Sequence, residues 1–387
     1  MKIGKLSWEF PPRVVGGIAR HCEGLAKTLV QQGHEVHLFT LDFPGSPSYE
    51  EMDGVKVYRA ATELGHPNFL TWVLLFNHFL GKKMAEVSQS VDFDVMHVHD
   101  WLAAFAGISF KHYLQKPMVL TVHSTEFGRA QGLHSPDSFS IDGIEWWATY
   151  EADKVIVCSQ SMKNEICGHF NLPWDKVDVI PNAIDATKYH SSVDRGWVRQ
   201  RYGVGWGEKM ILCVGRLVPQ KGIEYFIRAI PIIAQRYPEA KFVIVGEGWS
   251  RDYLEGVAQS TGHAKRILFT GFISDAEVIA LMTSADVLVI PSVYEPFGIV
   301  ALEGMATGAP VVASHVGGLA EVIEHDRTGI FVYPRSPESI AWGVDRVLSN
   351  PDHARWLTQN AREILHKTYS WEAIAMRTVE VYKEVVG

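Results

Sequence analysis

The chain has 387 residues, 47% of them apolar and 21% charged, which is enough for two or three domains with sizeable cores and too apolar for disorder. Its 36 basic and 44 acidic side chains give a formal net charge of −8, concentrated in the first 185 residues, which speaks against a nucleic-acid binder. Four cysteines, none in a C-x-x-C pair, exclude a disulfide framework and a cysteine-based zinc site.

The N-terminal run 1–7 is too short for a signal peptide. The most apolar window, 69–80, spans 12 residues against the roughly 20 needed to cross a bilayer, so the chain reads as soluble and cytoplasmic.

Short β-branched runs predict strands at 3–7, 35–40, 55–59, 95–99, 118–123, 155–158 and 177–180. Amphipathic spacing predicts helices between them at 17–32, 68–89, 101–113 and 141–152. A second series of strands follows at 210–214, 242–245, 267–269, 287–290 and 311–313, with helices at 223–236, 251–260, 276–283 and 298–307. Alternation of this kind implies parallel strands joined by right-handed crossovers, with helices on both faces of each sheet. A dozen strands are too many for one doubly wound sheet. The reading is therefore α/β, with two Rossmann-like parallel-sheet domains facing a cleft. An eight-fold β/α barrel is the competing architecture, although about 250 residues suffice for it. The expected domains are 1–185 and 186–370, with a linker around 183–192 and a final helix, 371–386, folding back onto the first domain.

Ligands of open α/β sheets gather at the carboxyl ends of strands, which narrows the search to five places. After the first strand, Gly16-Gly17 opens a helix whose N–H groups and dipole suit an anion, although a Gly pair is often only a turn. His97 and His99 share one face of the fourth strand and Asp100 begins the turn after it. A metal there needs further ligands that the sequence does not place, so a polar pocket wall or a satisfied buried pair is the plainer reading. Asp92 and Asp94 precede that strand, at the wrong edge for a ligand, and read as solvated. His123 ends a strand and is followed by a long loop, 124–140, of the kind that is often functional.

The fourth place is Gly215–Gly222, where Arg216 and Lys221 follow a strand and could hold a diphosphate, one as a planar fork and the other as a point charge. Both are expected to be exposed. The fifth is Glu295-Pro296-Phe297-Gly298-Ile299-Val300-Ala301-Leu302-Glu303, with one carboxylate on a loop and another on the helix that follows, each among apolar neighbours. Carboxylates so placed can accept pairs of sugar hydroxyls.

Taken in order, these motifs resemble the retaining glycosyltransferases of family 4, which have the two-Rossmann GT-B fold. The Glu-x7-Glu pair is Glu295 and Glu303, the basic pair is Arg216 and Lys221, and the N-terminal glycine loop is Gly16-Gly17. Asn182-Ala183-Ile184-Asp185 is similar to the family's Asn-Gly-Ile-Asp segment, with Ala183 replacing Gly. The resemblance implies a nucleoside-diphosphate sugar as donor, with UDP- or ADP-glucose expected, and a hydroxyl acceptor joined in α-linkage. It assigns the diphosphate to Arg216 and Lys221, the ribose to Glu303, and the sugar to Glu295 with the amides of Phe297, Gly298 and Ile299. Gly246, Glu247, Gly248, Phe272 and Ile273 would lie near the base, and His123 near the anomeric carbon. With two cations and a helix dipole at the diphosphate, neither a metal nor another cofactor is expected. His99-Asp100-Trp101 and Glu9-Phe10-Pro11-Pro12 resemble glycogen and starch synthases, in which the aspartate contacts the acceptor. Val14, with Arg13 beside it, stands where those enzymes usually carry Lys, so a small-molecule or lipid acceptor stays open. So do a nucleotide-sugar epimerase, a phosphorylase and an inactive binding module. The oligomeric state is left open.

Overall fold

A computed structural model describes residues 1–62, 64–189 and 194–387. The chain forms two compact units, Met1–Ala183 with Trp371–Gly387, and Ile184–Ser370. Residues 190–192 of the expected linker lie outside the described residues.

The first unit holds eight strands: β1 (Lys2–Leu6), β2 (Glu35–Leu41), β3 (Tyr49–Met52), β4 (Val55–Ala60), β5 (Val95–His99), β6 (Met118–Val122), β7 (Lys154–Val157) and β8 (Val177–Val179). Their spatial order is β3-β4-β2-β1-β5-β6-β7-β8, all parallel except the β3/β4 hairpin. That hairpin turns through Asp53 and Gly54, both at positive φ. Its outer strand, Tyr-Glu-Glu-Met, is a polar edge with exposed and half-buried residues alternating, and it offers no apolar run to mark it as a strand. The order reverses between β1 and β5, so the loops after these two strands flank the switch point.

The second unit holds β9 (Met210–Val214), β10 (Lys241–Val245), β11 (Ile267–Gly271), β12 (Val287–Ile290), β13 (Val311–Ser314) and β14 (Ile330–Val332), in the order β11-β10-β9-β12-β13-β14 and wholly parallel. Here the switch point lies between β9 and β12. Strands such as Val-Leu-Val-Ile are apolar throughout because helices cover both faces. The helix Ile223–Arg236 shows how. Phe226, Ile227, Ile230 and Ile233 form one buried stripe at helical spacing and pack on Ile211, Phe242 and Ile244. Full burial of each such side chain stabilises by about 1.5–3 kcal/mol.

The terminal helix Trp371–Val386 is part of the first core. Ile374, Ala375, Val379, Val381 and Tyr382 join Ile3, Val36, Val95 and Val119 there. The expected loop 124–140 is corrected. Glu126–Ala130 and Pro136–Glu151 are helical, each capped by the oxygen of a Thr or Ser, Thr125 and Ser135. No helix of the described residues is long and apolar enough to cross a membrane.

Candidate active site

In the second unit the switch point makes neighbours of the loops after β9 and β12. Lys221 Nζ donates to Glu295 Oε2 at 2.7 Å, and Ser292 Oγ donates to the same oxygen at 3.0 Å. Glu295 is buried and Lys221 half-buried, so the expectation that Lys221 is exposed is corrected. A carboxylate this deep among apolar neighbours needs a counter-charge, and Lys221 supplies it. Arg216 is exposed, and its guanidinium makes no hydrogen bond or ion pair among the described residues.

The loop 295–298 rests on a second glycine pair that the motif search passed over. Gly318 N–H donates to Glu295 O at 2.9 Å. Gly317 has φ +47°, and a Cβ on it would lie 2.1 Å from Glu295 O. Only glycine therefore lets the two loops close on one another. The signal was present as Val316-Gly317-Gly318 directly after β13, without a charged residue to draw the eye. Gly298 caps the helix Ile299–Thr307 without a side-chain acceptor; Ala301 N–H turns back to Gly298 O at 2.9 Å, and the amides of Ile299 and Val300 are left to an outside partner. Phe297 is buried beside it and Ile299 half-buried. Farther along the helix, Glu303 Oε1 accepts a hydrogen bond from Tyr189 Oη at 3.0 Å.

The ends of β10 and β11 adjoin the same loops. Leu217 N–H donates to Glu247 O at 2.8 Å, and Gly246 N–H donates to Gly271 O at 3.1 Å. Gly248 packs on the Leu217 backbone, Phe272 is largely exposed and Ile273 half-buried. The residues expected around a nucleoside diphosphate thus belong to adjoining loops of one unit. Gly16 and Gly17 belong to the other.

In the first unit the anion reading of Gly16-Gly17 changes. The buried Glu9 carboxylate accepts from Val15 N–H at 2.7 Å and from Gly16 N–H at 3.0 Å. The loop's own acid thus occupies amides assigned to a ligand. Arg13, beside Val14, donates to Asp42 O at 2.7 Å and lies over the Phe43 ring. Asp92 and Asp94 are spent on strand ends: Asp92 pairs with Lys116, and Asp94 accepts from Lys2 N–H.

Asp100 and His123 meet after β5 and β6. Asp100 Oδ1 accepts from His123 N–H at 2.7 Å, and burial pushes the Asp100 carboxyl up to about 6. Burial, with Lys5 nearby, brings the His123 imidazole down to about 3. His99 Nδ1 lies 3.2 Å from His123 Nε2, and the His21 ring centroid lies 4.8 Å from that of His123. Burial and neighbouring positive charge also hold His21, His97 and His99 well below the usual histidine range. His97 is the satisfied member, facing Tyr382 Oη at 2.6 Å and Thr121 Oγ1 at 2.7 Å. Lys5 is fully buried, 3.3 Å from His97 Nδ1, and its ammonium is brought down to about 8 by desolvation. Asn182 Oδ1 lies 2.8 Å from His21 Nδ1. Lys5 and His21 escaped the sequence search, although a lysine inside an apolar strand and a histidine on a helix's apolar face were both in view.

Known proteins resemble this chain along almost its whole length. The family model described as Glycosyltransferase Family 4 matches residues 15–188, and Glycosyl transferases group 1 matches residues 198–364. An uncharacterised glycosyltransferase of Methanocaldococcus jannaschii is 49% identical, covering 99% of this chain and 98% of its own. A glycogen synthase of Mycobacterium tuberculosis is 34% identical over 99% of this chain and 94% of its own. Among solved structures, sucrose-phosphate synthase from Thermosynechococcus elongatus superposes with a TM-score of 0.85 at 26% identity, covering 99% of this chain and 98% of its own.

Proposed function

The chain belongs to the family 4 glycosyltransferases, and from that premise we propose that it is a retaining, metal-independent hexosyltransferase. The donor is a nucleoside-diphosphate glucose and the acceptor a glucan hydroxyl, joined in α-linkage. The observation that carries the reading is the gathering of Arg216, Lys221, Glu295 and the uncapped helix end at Gly298 around the second switch point.

Arg216 and Lys221 take the diphosphate, Lys221 sharing its charge between phosphate and Glu295. Glu295 and the first-turn amides take the sugar hydroxyls, and Glu303 takes the ribose. The bond from C1 to the phosphate oxygen breaks as the acceptor oxygen bonds to C1 on the same face. The acceptor proton passes to the departing phosphate oxygen, and the electron pair of the broken bond leaves with the diphosphate. Charge grows on that diphosphate, and two preorganised cations stabilise it without reorganisation at the moment of reaction. Asp100 and His123 serve the acceptor side. The glucan acceptor is supported by the glycogen synthase relative and by the His99-Asp100-Trp101 segment.

The test is a panel of nucleotide sugars and acceptors incubated in excess chelator. Release of nucleoside diphosphate dependent on a glucan, with an α-anomeric product by NMR, is expected. A β-product, a need for magnesium or manganese, or an epimerised sugar formed without acceptor would each overturn the reading.

A further inference from the structure

The proposed transfer uses one histidine of the first unit, yet three converge there. His21 comes from the helix Gly17–Gln31, His99 ends β5, and His123 follows β6. One ring nitrogen of each lies within 4.8 Å of the other two. We propose that His21, His99 and His123 form a binding site for one transition-metal ion of the zinc class, ligated by three imidazole nitrogens.

The hydrogen bonds favour it. A carbonyl oxygen only accepts, so His21 Nδ1 carries its proton toward Asn182 Oδ1, leaving the Nε2 lone pair available. That Nε2 is buried and has no hydrogen-bond partner among the described residues; neither has His99 Nε2. Two orphaned ring nitrogens in one buried cluster are costly unless something binds them. Asn182 fixing the far nitrogen of His21 is the usual outer arrangement of a metal-bound imidazole.

The donor set decides the ion. Three nitrogens suit zinc, cobalt, nickel or copper, whereas magnesium and calcium require oxygen. Bonds of about 2.0–2.1 Å place tetrahedral nitrogens about 3.4 Å apart, so the rings draw together on binding. The 3.2 Å contact between His99 and His123 is given up in exchange. His97, held by Tyr382 and Thr121, stays outside the set. The half-buried His123 leaves a fourth position that a solvent molecule can reach. Such an ion withdraws His123 from the acceptor side and so acts as an inhibitor. That consequence, unlike the site itself, rests on the proposed function.

The experiment is a titration of the metal-free full-length chain with cobalt(II), followed by visible absorption. One equivalent with the intense bands of a four-coordinate ion is expected, displaced by zinc and indifferent to magnesium. His21→Gln and His99→Gln should each abolish the bands. Asn182→Ala should weaken binding about 10- to 100-fold, and His112→Gln on the surface should change nothing. Absence of a one-equivalent site in the wild-type chain sinks the proposal even if a variant fails to fold. So do bands that persist in both folded histidine variants. Transfer by the metal-free chain in chelator is read separately. Activity without metal binding removes the site and keeps the transferase; metal binding without activity does the reverse.

Discussion

Arg216 and Lys221 follow the same strand, but the structure gives them different surroundings, and their variants should differ accordingly. Arg216 is exposed and its guanidinium unpaired among the described residues, so Arg216→Ala should leave stability within about 0.5 kcal/mol while lowering turnover roughly 10²- to 10³-fold. Lys221→Ala should show a comparable loss of turnover. In addition it strands the buried Glu295 carboxylate with Ser292 Oγ as its one remaining side-chain donor among the described residues, at a cost of about 1–3 kcal/mol. Chemical denaturation beside steady-state kinetics checks both, and equal stabilities would show that the Lys221–Glu295 contact carries no weight. The two glutamates separate in the same way. Glu303→Ala should weaken binding of a free nucleoside diphosphate about 5- to 150-fold, whereas Glu295→Ala should leave it nearly unchanged as turnover collapses. Calorimetry with the diphosphate alone decides, and equal losses would mean the pair has been assigned wrongly. At this scale the residue types were legible, because charged groups stood among apolar neighbours after strands. Their pairing was not, since Lys221 and Glu295 meet only because β9 and β12, far apart in the chain, are parallel neighbours in the sheet.

At the scale of elements, the returning helix Trp371–Val386 is held by a contact that its sequence does not advertise. A Cβ on Gly24, in the middle of the helix Gly17–Gln31, would lie 2.3 Å from the Trp371 ring. Helix propensity alone makes Gly24→Ala stabilising by about 1 kcal/mol. The indole overrides it, and overpacking of this kind costs about 1–3 kcal/mol. Gly24→Ala should therefore destabilise the wild-type chain but stabilise one that already carries Trp371→Ala. Denaturant midpoints of the four proteins in that cycle test it, and an unchanged sign in both backgrounds refutes the packing argument. The apolar strands and the longer amphipathic helices were readable from period alone. What was lost included the polar Tyr49–Met52 edge strand and the three-residue β14, but also the amphipathic helices Pro337–Leu348 and Pro351–Thr368 beyond the last expected strand. The helix Glu126–Ala130 and the start of Pro136–Glu151, read only from 141, were obscured by Gly132 and Pro136, although Thr125 and Ser135 were cap signals in plain sight.

At the scale of the whole molecule, the two units should respond differently to acid. His21, His97, His99 and His123 all belong to the first unit and all are held neutral by burial, His123 down to about 3. An unfolded histidine takes its proton near pH 6.5, so between that value and the folded one the unfolded chain binds more protons. The stability these groups contribute is complete above about pH 6.5 and drains away as the pH falls toward 3. Asp100 and Glu145 act in the opposite sense. Their carboxyls are raised to about 6 and about 8 by burial, so the folded unit takes their protons first and gains stability as the pH falls to about 4. Four imidazoles against two carboxyls leave acid destabilising on balance. Hydrogen exchange measured along a descending pH series should therefore show Met1–Ala183 opening at a higher pH than Ile184–Ser370. Asp100→Asn removes one of the two opposing groups and should steepen the acid loss of the first unit below pH 6. If the units open together, or if Asp100→Asn flattens the profile, the buried histidines do not govern the acid limit of this protein.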